Sequence, residues 1–313
     1  MADYSKFSDL QIQEILINYG VKDILAITPQ DHGISNSNYS VQTLTGSKFL
    51  LKISNDKSQK QLSEELNILD ALSNKEFSLS LTPLKNLHGK SIFQYEDSFG
   101  VIFPFIEATV KNISTKTISE MAMALAKLHT LEFSNSELAQ IRHHTQVGHN
   151  FKSISAFLDH PQCPQDFKDA FQKIFHTQRI TRINQSFIET IIHGDLYYDN
   201  CLFSNDHALK KIIDFEQAGV GSRILDIGIS ISGSCLRDDR IDSQLTSLFI
   251  NHYQKHLVLT EQEYKSIDDF IHVGLFSIAL WRIHRFLIGD LNPNKELSYQ
   301  QLINRSINYE HSS

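Results

Sequence analysis

Cysteine and tryptophan are scarce in this chain of 313 residues, which contains three cysteines and one tryptophan. The cysteines, Cys163, Cys201 and Cys235, are odd in number and widely spaced, and they form no Cys-x-x-Cys pair. This spacing excludes a disulfide framework and a cysteine-based metal site, and it is typical of reduced thiols. We therefore expect a cytoplasmic protein.

An excess of positive charge is also missing. The chain has 29 lysines and arginines against 36 acidic residues, a formal net charge of -7, which argues against a nucleic-acid binder. Charges interrupt the apolar stretches well short of a membrane span, and the first ten residues lack the features of a secretory signal. We expect no nucleic-acid or membrane partner, and nothing in the sequence indicates a protein partner.

The pattern of the chain changes near Pro104. Before it, strand-like runs at 24–28, 38–43, 48–54, 91–95 and 100–105 surround one inserted helix at 62–72. After it the chain is mostly helical, with helices predicted from Thr117 to His129 and at 241–257, 261–288 and 296–308. The sequence predicts an α+β protein with domains at 1–104 and 105–313.

The stretch from Ile191 to Asp226 carries most of the polar chemistry. Asp195 follows a short apolar run, Asn200 comes five positions later, and Asp214 follows a second apolar run after a polar turn. This pattern predicts a hairpin that brings the three side chains to one end of a small sheet. Two carboxylates and an amide offer hard oxygen ligands and one possible base, which suit Mg²⁺ and phosphate rather than zinc.

A lysine inside an apolar strand is the second notable feature. Lys52 needs a partner if it is buried, and Glu65 on the following helix can supply one, although a lysine at an exposed strand edge fits equally well. Phosphoryl transfer requires positive charge on the phosphates, a metal ion and a carboxylate that orients the hydroxyl. Lys52 can supply the charge, Asn200 and Asp214 the metal ligands, and Asp195 the base.

These motifs resemble the aminoglycoside phosphotransferase/choline kinase superfamily. The resemblance rests on His193-Gly194-Asp195 with Asn200, on Ile213-Asp214-Phe215, and on Asp226. It implies a two-lobed protein-kinase-like fold and the cofactors ATP and Mg²⁺. By resemblance Asp195 is the catalytic base, Asn200 and Asp214 bind Mg²⁺, and His193 and Asp226 brace the catalytic loop. The implied nucleotide-binding residues are Ser35, Asn36, Ser37, Asn38, Lys52, Glu65, Phe105 and Ile106.

Within that superfamily the chain is most similar to the homoserine kinases of this fold. The shared features are the catalytic loop and the Gly33–Tyr39 loop, which reads G-I-S-N-S-N-Y. The chain departs from them at Gly194, where they commonly have Ala, and at Glu216-Gln217-Ala218, where they usually have an aromatic pair. The resemblance implies phosphorylation of a small alcohol, the side-chain hydroxyl of L-homoserine, in threonine biosynthesis.

Several acceptors remain open at this point. Homoserine needs a guanidinium for its carboxylate and an acid for its ammonium, and the candidates are Arg223, Arg282, Arg285 and Glu216. Choline or ethanolamine would use an aromatic cage, for which Tyr197, Tyr198, Phe215 and Trp281 are available. An aminoglycoside would use an acidic patch such as Asp238, Asp239 and Asp242. A non-catalytic nucleotide-binding module is a further alternative. It predicts the loss of at least one of four residues, and all four are present: Lys52, Asp195, Asn200 and Asp214.

Overall fold

The chain forms two compact units, Ala2–Glu107 and Ala108–Ser313. A computed structural model describes residues 7–30, 36–55, 57–108, 112–289 and 291–310. The predicted domain boundary between residues 104 and 105 stays a prediction. The two units are described separately below.

The N-terminal unit is an antiparallel sheet with two helices. The sheet has five strands in the order β1-β2-β3-β5-β4, and helix α2 is inserted between β3 and β4. The elements are α1 (Asp9–Ile17), β1 (Ile24–Gln30), β2 (Asn36–Thr43), β3 (Lys48–Ser54), α2 (Gln59–Asn74), β4 (Ile92–Tyr95) and β5 (Ser98–Pro104). This architecture agrees with the strand-rich pattern expected before Pro104.

The alternation of side chains along β3 determines which face of the sheet is buried. Leu51 and Ile53 are fully buried and pack with Ile12 and Leu16 of α1. Because successive side chains of a strand point to opposite faces, Lys52 lies on the other face, where it is half-buried. Helix α1 thus covers the apolar face and leaves the lysine on the polar one.

The C-terminal unit is mostly helical. Helices α8 and α11 pack closely against each other at its centre. Its first elements are α3 (Thr115–His129), α4 (Asn135–Leu138), α5 (Phe151–Phe157), α6 (Gln165–Ile174), α7 (Thr177–Ile183), β6 (Glu189–Ile192), β7 (Cys201–Phe203), β8 (Leu209–Ile212) and β9 (Gly219–Ser222). The remaining ones are α8 (Arg223–Ser234), β10 (Leu236–Arg237), β11 (Arg240–Ile241), α9 (Ser243–Gln254), α10 (Glu261–Lys265), α11 (Ile267–Arg282) and α12 (Gln300–Glu310).

Three predicted helix boundaries are wrong. The helix predicted at 296–308 is α12, which begins four residues later, at Gln300. The helix predicted at 261–288 is divided at Ser266, which ends α10, and it continues past α11 as a π-helical turn, Ile283–Ile288. Helix α3 is capped by Ser114, whose side chain accepts a hydrogen bond from the N–H of Thr117, so the cap lies three residues earlier than expected.

Among the residues that the structure describes, one helical stretch, Ile267–Ile288, has the length and apolar composition to cross a membrane. In its most apolar window, 61% is buried inside the structure. The burial identifies it as a core helix of the C-terminal unit, because it packs against α8, α12 and α5.

Arg223 forms a buried ion pair rather than a substrate contact. Its guanidinium donates to both carboxylate oxygens of Glu263, each at 2.6 Å, and to the carbonyl of Val258. Both side chains are at most 6% exposed. Because the carboxylate already occupies the donor fork of Arg223, the expectation that this arginine is a homoserine ligand is wrong.

Replacing Glu263 by Gln should destabilise the C-terminal unit by about 3–5 kcal/mol, because it leaves the buried Arg223 charge without its counter-charge. The control is Glu261→Gln on the same helix, which removes only the exposed pair with Lys265 and should cost less than about 1 kcal/mol. Urea unfolding monitored by circular dichroism measures both variants. Equal midpoints for the two would contradict the assignment.

Candidate functional site

The carboxylate of Asp226 holds the backbone of the loop that follows β6. Asp226 is fully buried near the start of α8 and accepts hydrogen bonds from the N–H groups of His193 (2.8 Å) and Gly194 (2.9 Å). The His129 ring is a third partner, at 3.1 Å. Burial by itself raises the pKa of Asp226, but the bond with His129 and the neighbouring His193 hold it below its ordinary value. The carboxylate therefore stays ionised.

His193 connects this loop to the end of β8. Its Nε2–H donates to the carbonyl of Ile213 at 3.0 Å, and its Nδ1 accepts the N–H of Asp195 at 3.3 Å. These partners define the tautomer, because a carbonyl can only accept and a backbone N–H can only donate. Burial lowers the pKa of His193, so the ring is neutral. One imidazole thus sets the distance between Asp195 and the strand that precedes Asp214.

The β7–β8 hairpin brings Asn200 and Asp214 to one end of a small sheet. Cys201 pairs with Ile212, and one position further the N–H of Ile213 donates to the carbonyl of Asn200 at 2.9 Å. The Asn200 amide donates to the backbone carbonyl of Asp195 at 2.7 Å and to its carboxylate at 3.3 Å. Asp214 follows in the left-handed conformation, with φ 65°. The hairpin predicted from the sequence is present.

The side chains of Asn200 and Asp214 fit a magnesium ion whose remaining ligands are phosphate oxygens. Among the described residues, no group of three or more His, Cys, Asp and Glu side chains forms a complete metal cage. Burial, then the carboxylates of Asp214 and Glu216, raise the pKa of Asp195. An amide oxygen from Asn200 and a carboxylate from Asp214 match the sparse set of protein ligands that Mg²⁺ takes when phosphates supply the rest.

A cavity of about 200 Å³ in the C-terminal unit opens beside Asp195. It is lined by Gly148, His149, Gly194, Asp195, Tyr197, Glu216, Gln217, Ser277, Ile278, Trp281 and Arg282. It therefore combines one further carboxylate, one guanidinium and two large aromatic rings. Burial, then His284 and His144, lower the pKa of His149 to about 4, so this ring contributes no positive charge at neutral pH.

Three of the five predicted substrate residues, Tyr197, Glu216 and Arg282, line this cavity. Tyr198 is buried elsewhere, where its ring stacks on Phe203 with centroids 5.4 Å apart. The guanidinium carbon of Arg285 lies over the ring of Trp281, 5.6 Å from its centre. The described residues that line the cavity do not include either of them.

The acidic patch expected for an aminoglycoside is engaged in ion pairs. Arg305 pairs with Asp239, and Arg237 pairs with Asp242 at 3.3 Å. Asp242 also caps α9 by accepting the N–H of Leu245. Two of the three carboxylates thus have structural roles that compete with an amine ligand.

The N-terminal unit carries the residues predicted to bind nucleotide. Asn38 lies directly opposite Lys52 in the β2–β3 pair, so the two share one face of the sheet. Glu65 forms a largely buried ion pair with Lys57 at 2.9 Å, and the Lys52–Glu65 pair stays a prediction. The other predicted positions are Asn36 and Ser37, which begin β2, and Phe105 and Ile106, which follow β5 and are half-buried. Ser35 lies outside the described residues.

Several residues that shape the site have no signal in the sequence. Arg142 donates to the carbonyls of Phe215, Glu216 and Ala218 and so holds the turn that carries the cavity carboxylate. Ser277 donates to the carbonyl of His149 at 2.7 Å. Each contact joins segments more than 70 residues apart, which no local motif can reveal.

A family model described as the phosphotransferase enzyme family matches residues 26–258. This match spans most of the chain, from within β1 to beyond α9. The chain belongs to this phosphotransferase family. The assignment confirms the predicted class of enzyme, a small-molecule kinase.

The relatives of this phosphotransferase agree with that class. A homoserine kinase from Methylobacillus flagellatus is 22% identical, and the alignment covers 98% of this chain and 96% of that protein. Among solved structures, an amicoumacin kinase bound to AMP-PNP and Ca²⁺ has a TM-score of 0.68 at 14% identity, covering 96% and 93% of the two chains. A microcompartment-associated aminopropanol kinase has a TM-score of 0.65 at 14% identity, covering 97% and 98%. These likenesses confirm the predicted protein-kinase-like fold.

The glycine before Asp195 is required by this phosphotransferase's own packing. Gly194 has φ 75°, and a Cβ placed on it would lie 2.6 Å from the carbonyl oxygen of Gln217 and 2.7 Å from Nδ1 of His144. The His144 ring is fixed there because it bonds to that same carbonyl at 2.8 Å. The alanine common in homoserine kinases does not fit here.

Replacing Gly194 by Ala should lower the rate of phosphotransfer at least about tenfold, because a clash with a backbone carbonyl forces the catalytic loop to move. The control is Gly46→Ala, where φ is 86° and no atom lies within 4 Å of the added Cβ. That variant should lose only about 1–2 kcal/mol of stability from left-handed strain and keep its activity. Initial rates and thermal unfolding of both proteins measure this, and equal rates would contradict the packing argument.

Proposed function

We propose that this phosphotransferase is a homoserine kinase, which transfers the γ-phosphoryl group of ATP to the side-chain hydroxyl of L-homoserine in threonine biosynthesis in the cytoplasm. The observation that carries the proposal is the placement of Glu216 and Arg282 on one small cavity with Asp195. An amino acid has an ammonium and a carboxylate, and these two side chains are their complements. The full-length similarity to homoserine kinases supports the same acceptor.

The size of the cavity supports an acceptor as small as an amino acid. Its volume of about 200 Å³ is below the range of roughly 300–1,000 Å³ that is usual for drug-sized ligands. An aminoglycoside is larger than this space, and two of the acids expected to bind it are already paired. Choline remains a second candidate because Tyr197 and Trp281 both line the cavity, but a cavity guanidinium disfavours a cationic acceptor that lacks a carboxylate.

Asp195 acts on the acceptor hydroxyl in the proposed mechanism. Its carboxylate accepts a hydrogen bond from the hydroxyl and orients the oxygen toward the γ-phosphorus. As the new O–P bond forms and the bond to the β-phosphate oxygen breaks, the hydroxyl proton passes to Asp195 and ADP leaves. The amide of Asn200 holds the carboxylate in place throughout.

The remaining residues bind and neutralise the nucleotide. Asn200 and Asp214 would hold Mg²⁺, whose charge stabilises the transferring phosphoryl group. In the N-terminal unit, Ser35, Asn36, Ser37 and Asn38 would approach the phosphates, with Lys52 contacting them and Glu65 supporting Lys52. Phe105 and Ile106 would contact the base. The amicoumacin kinase of the same fold binds a nucleotide analogue together with a divalent ion, which supports ATP and a divalent ion as the cofactors.

A coupled assay of ADP release tests the proposal, with L-homoserine, choline and kanamycin offered separately. We expect turnover with L-homoserine above the other two acceptors. We also expect Asp195→Asn to reduce kcat by roughly 10²–10⁴ with nearly unchanged nucleotide affinity, since it removes the base alone. The control is Asp199→Asn, an exposed residue of the same loop, which should keep its activity.

Other outcomes point to the alternatives. Preferred turnover of choline would make the protein an amino-alcohol kinase. No turnover of any acceptor, together with tight Mg²⁺-dependent nucleotide binding, would favour a non-catalytic nucleotide-binding protein. Substantial activity of the Asp195→Asn variant would remove this residue from the role of base.

A further inference from the structure

The guanidinium of Arg282 is oriented by the C-terminal segment of the chain. Arg282 ends α11 and lines the cavity, and its Nη1 donates to the carbonyl of Ser298 at 2.7 Å and to Oε1 of Gln301 at 3.2 Å. Two acceptors on one nitrogen fix the plane of the guanidinium. The direction in which its other donors point therefore depends on the carbonyl oxygen of Gln301.

A second hydrogen bond determines which way the Gln301 amide faces. Its Nε2 donates to Oδ1 of Asp239 at 3.0 Å. A side-chain amide has one accepting end and one donating end, so an acceptor on the nitrogen side turns the oxygen toward Arg282. In the flipped orientation the NH₂ group would meet the guanidinium, donor against donor. The carboxylate of Asp239 selects the productive orientation.

Asp239 is itself held in a tight turn. Asp238 and Asp239 are the two central residues between β10 and β11, with φ 50° and 61°. Two successive positive φ values are the requirement of a type I′ hairpin turn, and aspartate tolerates this region better than most residues. Arg305 fixes the turn because it donates to the backbone carbonyl of Asp239 at 3.2 Å and also to its carboxylate.

The same turn is connected to a second cavity residue. Arg305 donates to the carbonyl of Ser232 at 3.2 Å. The ring of Tyr197 packs on the next residue, Gly233, where an added Cβ would lie 1.8 Å from Cδ1 of Tyr197. Arg282 and Tyr197, which both line the cavity, are thus both linked to the β10–β11 turn, Arg282 through Gln301 and Tyr197 through the backbone that Arg305 binds. The network brings two guanidinium groups together, and the Asp239 carboxylate partly offsets the repulsion between Arg282 and Arg305.

We propose that Asp239 is a positioning residue for recognition of the acceptor: through Gln301 it directs the guanidinium of Arg282 toward the acceptor carboxylate. This inference rests on the proposed function, in which Arg282 binds the carboxylate of an amino-acid acceptor. Asp239 touches neither the acceptor nor the nucleotide in this scheme. Its effect is therefore confined to acceptors that carry a carboxylate.

The test compares Asp239→Ala with Asp238→Ala, its exposed neighbour in the same turn. Both variants place alanine at positive φ, so the backbone strain is matched. For Asp239→Ala we expect the KM of L-homoserine to rise about tenfold while kcat and the KM of ATP change little, the signature of lost acceptor binding. Asp238→Ala should match the wild type in all three constants, and thermal unfolding of both confirms folding.

Two further measurements separate positioning from general damage. With 3-aminopropan-1-ol, which lacks the carboxylate, Asp239→Ala and wild type should have the same KM. Asp239→Asn keeps a side-chain oxygen that can accept from Gln301, so its KM for L-homoserine should lie within about threefold of the wild type. An equal rise for both acceptors, or an unrescued Asp239→Asn, overturns the inference.

Arg282→Met distinguishes failure of the inference from failure of the proposed function. If Arg282→Met raises the KM of L-homoserine but the two aspartate variants behave alike, Asp239 has no positioning role and the proposed function stands. Two results would contradict both proposals: no phosphorylation of L-homoserine by the wild type, or an unchanged KM of L-homoserine in Arg282→Met. In either case the cavity does not bind the acceptor as proposed, and Asp239 cannot have the inferred role.

Discussion

The buried carboxylate of Asp226 is the contact on which the loop around Asp195 depends. It accepts hydrogen bonds from the two N–H groups that precede Asp195, and it also contacts the His129 ring. One carboxylate thus connects the loop after β6 with helices α3 and α8. An unpaired carboxylate at this depth would cost several kcal/mol, and the ring and amide partners offset that cost. The geometry of Asp195 relative to Asn200 and Asp214 follows from this contact, because His193 then reaches the carbonyl of Ile213.

The local parts of the site could be predicted from the sequence because the hairpin encodes them. Asp195, Asn200 and Asp214 lie within 20 residues of one another, and alternating apolar runs with a polar turn specify how that stretch folds. Arg142, His144 and Asp239 could not be predicted in this way. Each acts on a residue more than 60 positions away, so its role depends on helix packing that no local pattern records.

The fold could also be predicted where local patterns specify it, and it could not where contacts between distant segments decide the outcome. Strand and helix periods before and after Pro104 indicated a strand-rich region and a helical region, as found. In contrast, the sequence does not indicate which partner each arginine has. Arg223 is neutralised by Glu263, whereas Arg282 lines the cavity. Both lie near helix ends in the sequence, and only burial and packing separate a structural guanidinium from one that faces a ligand.

The central claim is that this phosphotransferase recognises both charges of an amino acid whose hydroxyl it phosphorylates. Its most direct test is to measure kcat/KM for L-homoserine, 3-aminopropan-1-ol and 4-hydroxybutanoate, which share the hydroxyl but differ in the charged groups. Each analogue leaves Arg282 or Glu216 without its counter-charge, so we expect kcat/KM to fall at least about 100-fold for both. An analogue that is phosphorylated as efficiently as L-homoserine would contradict the claim.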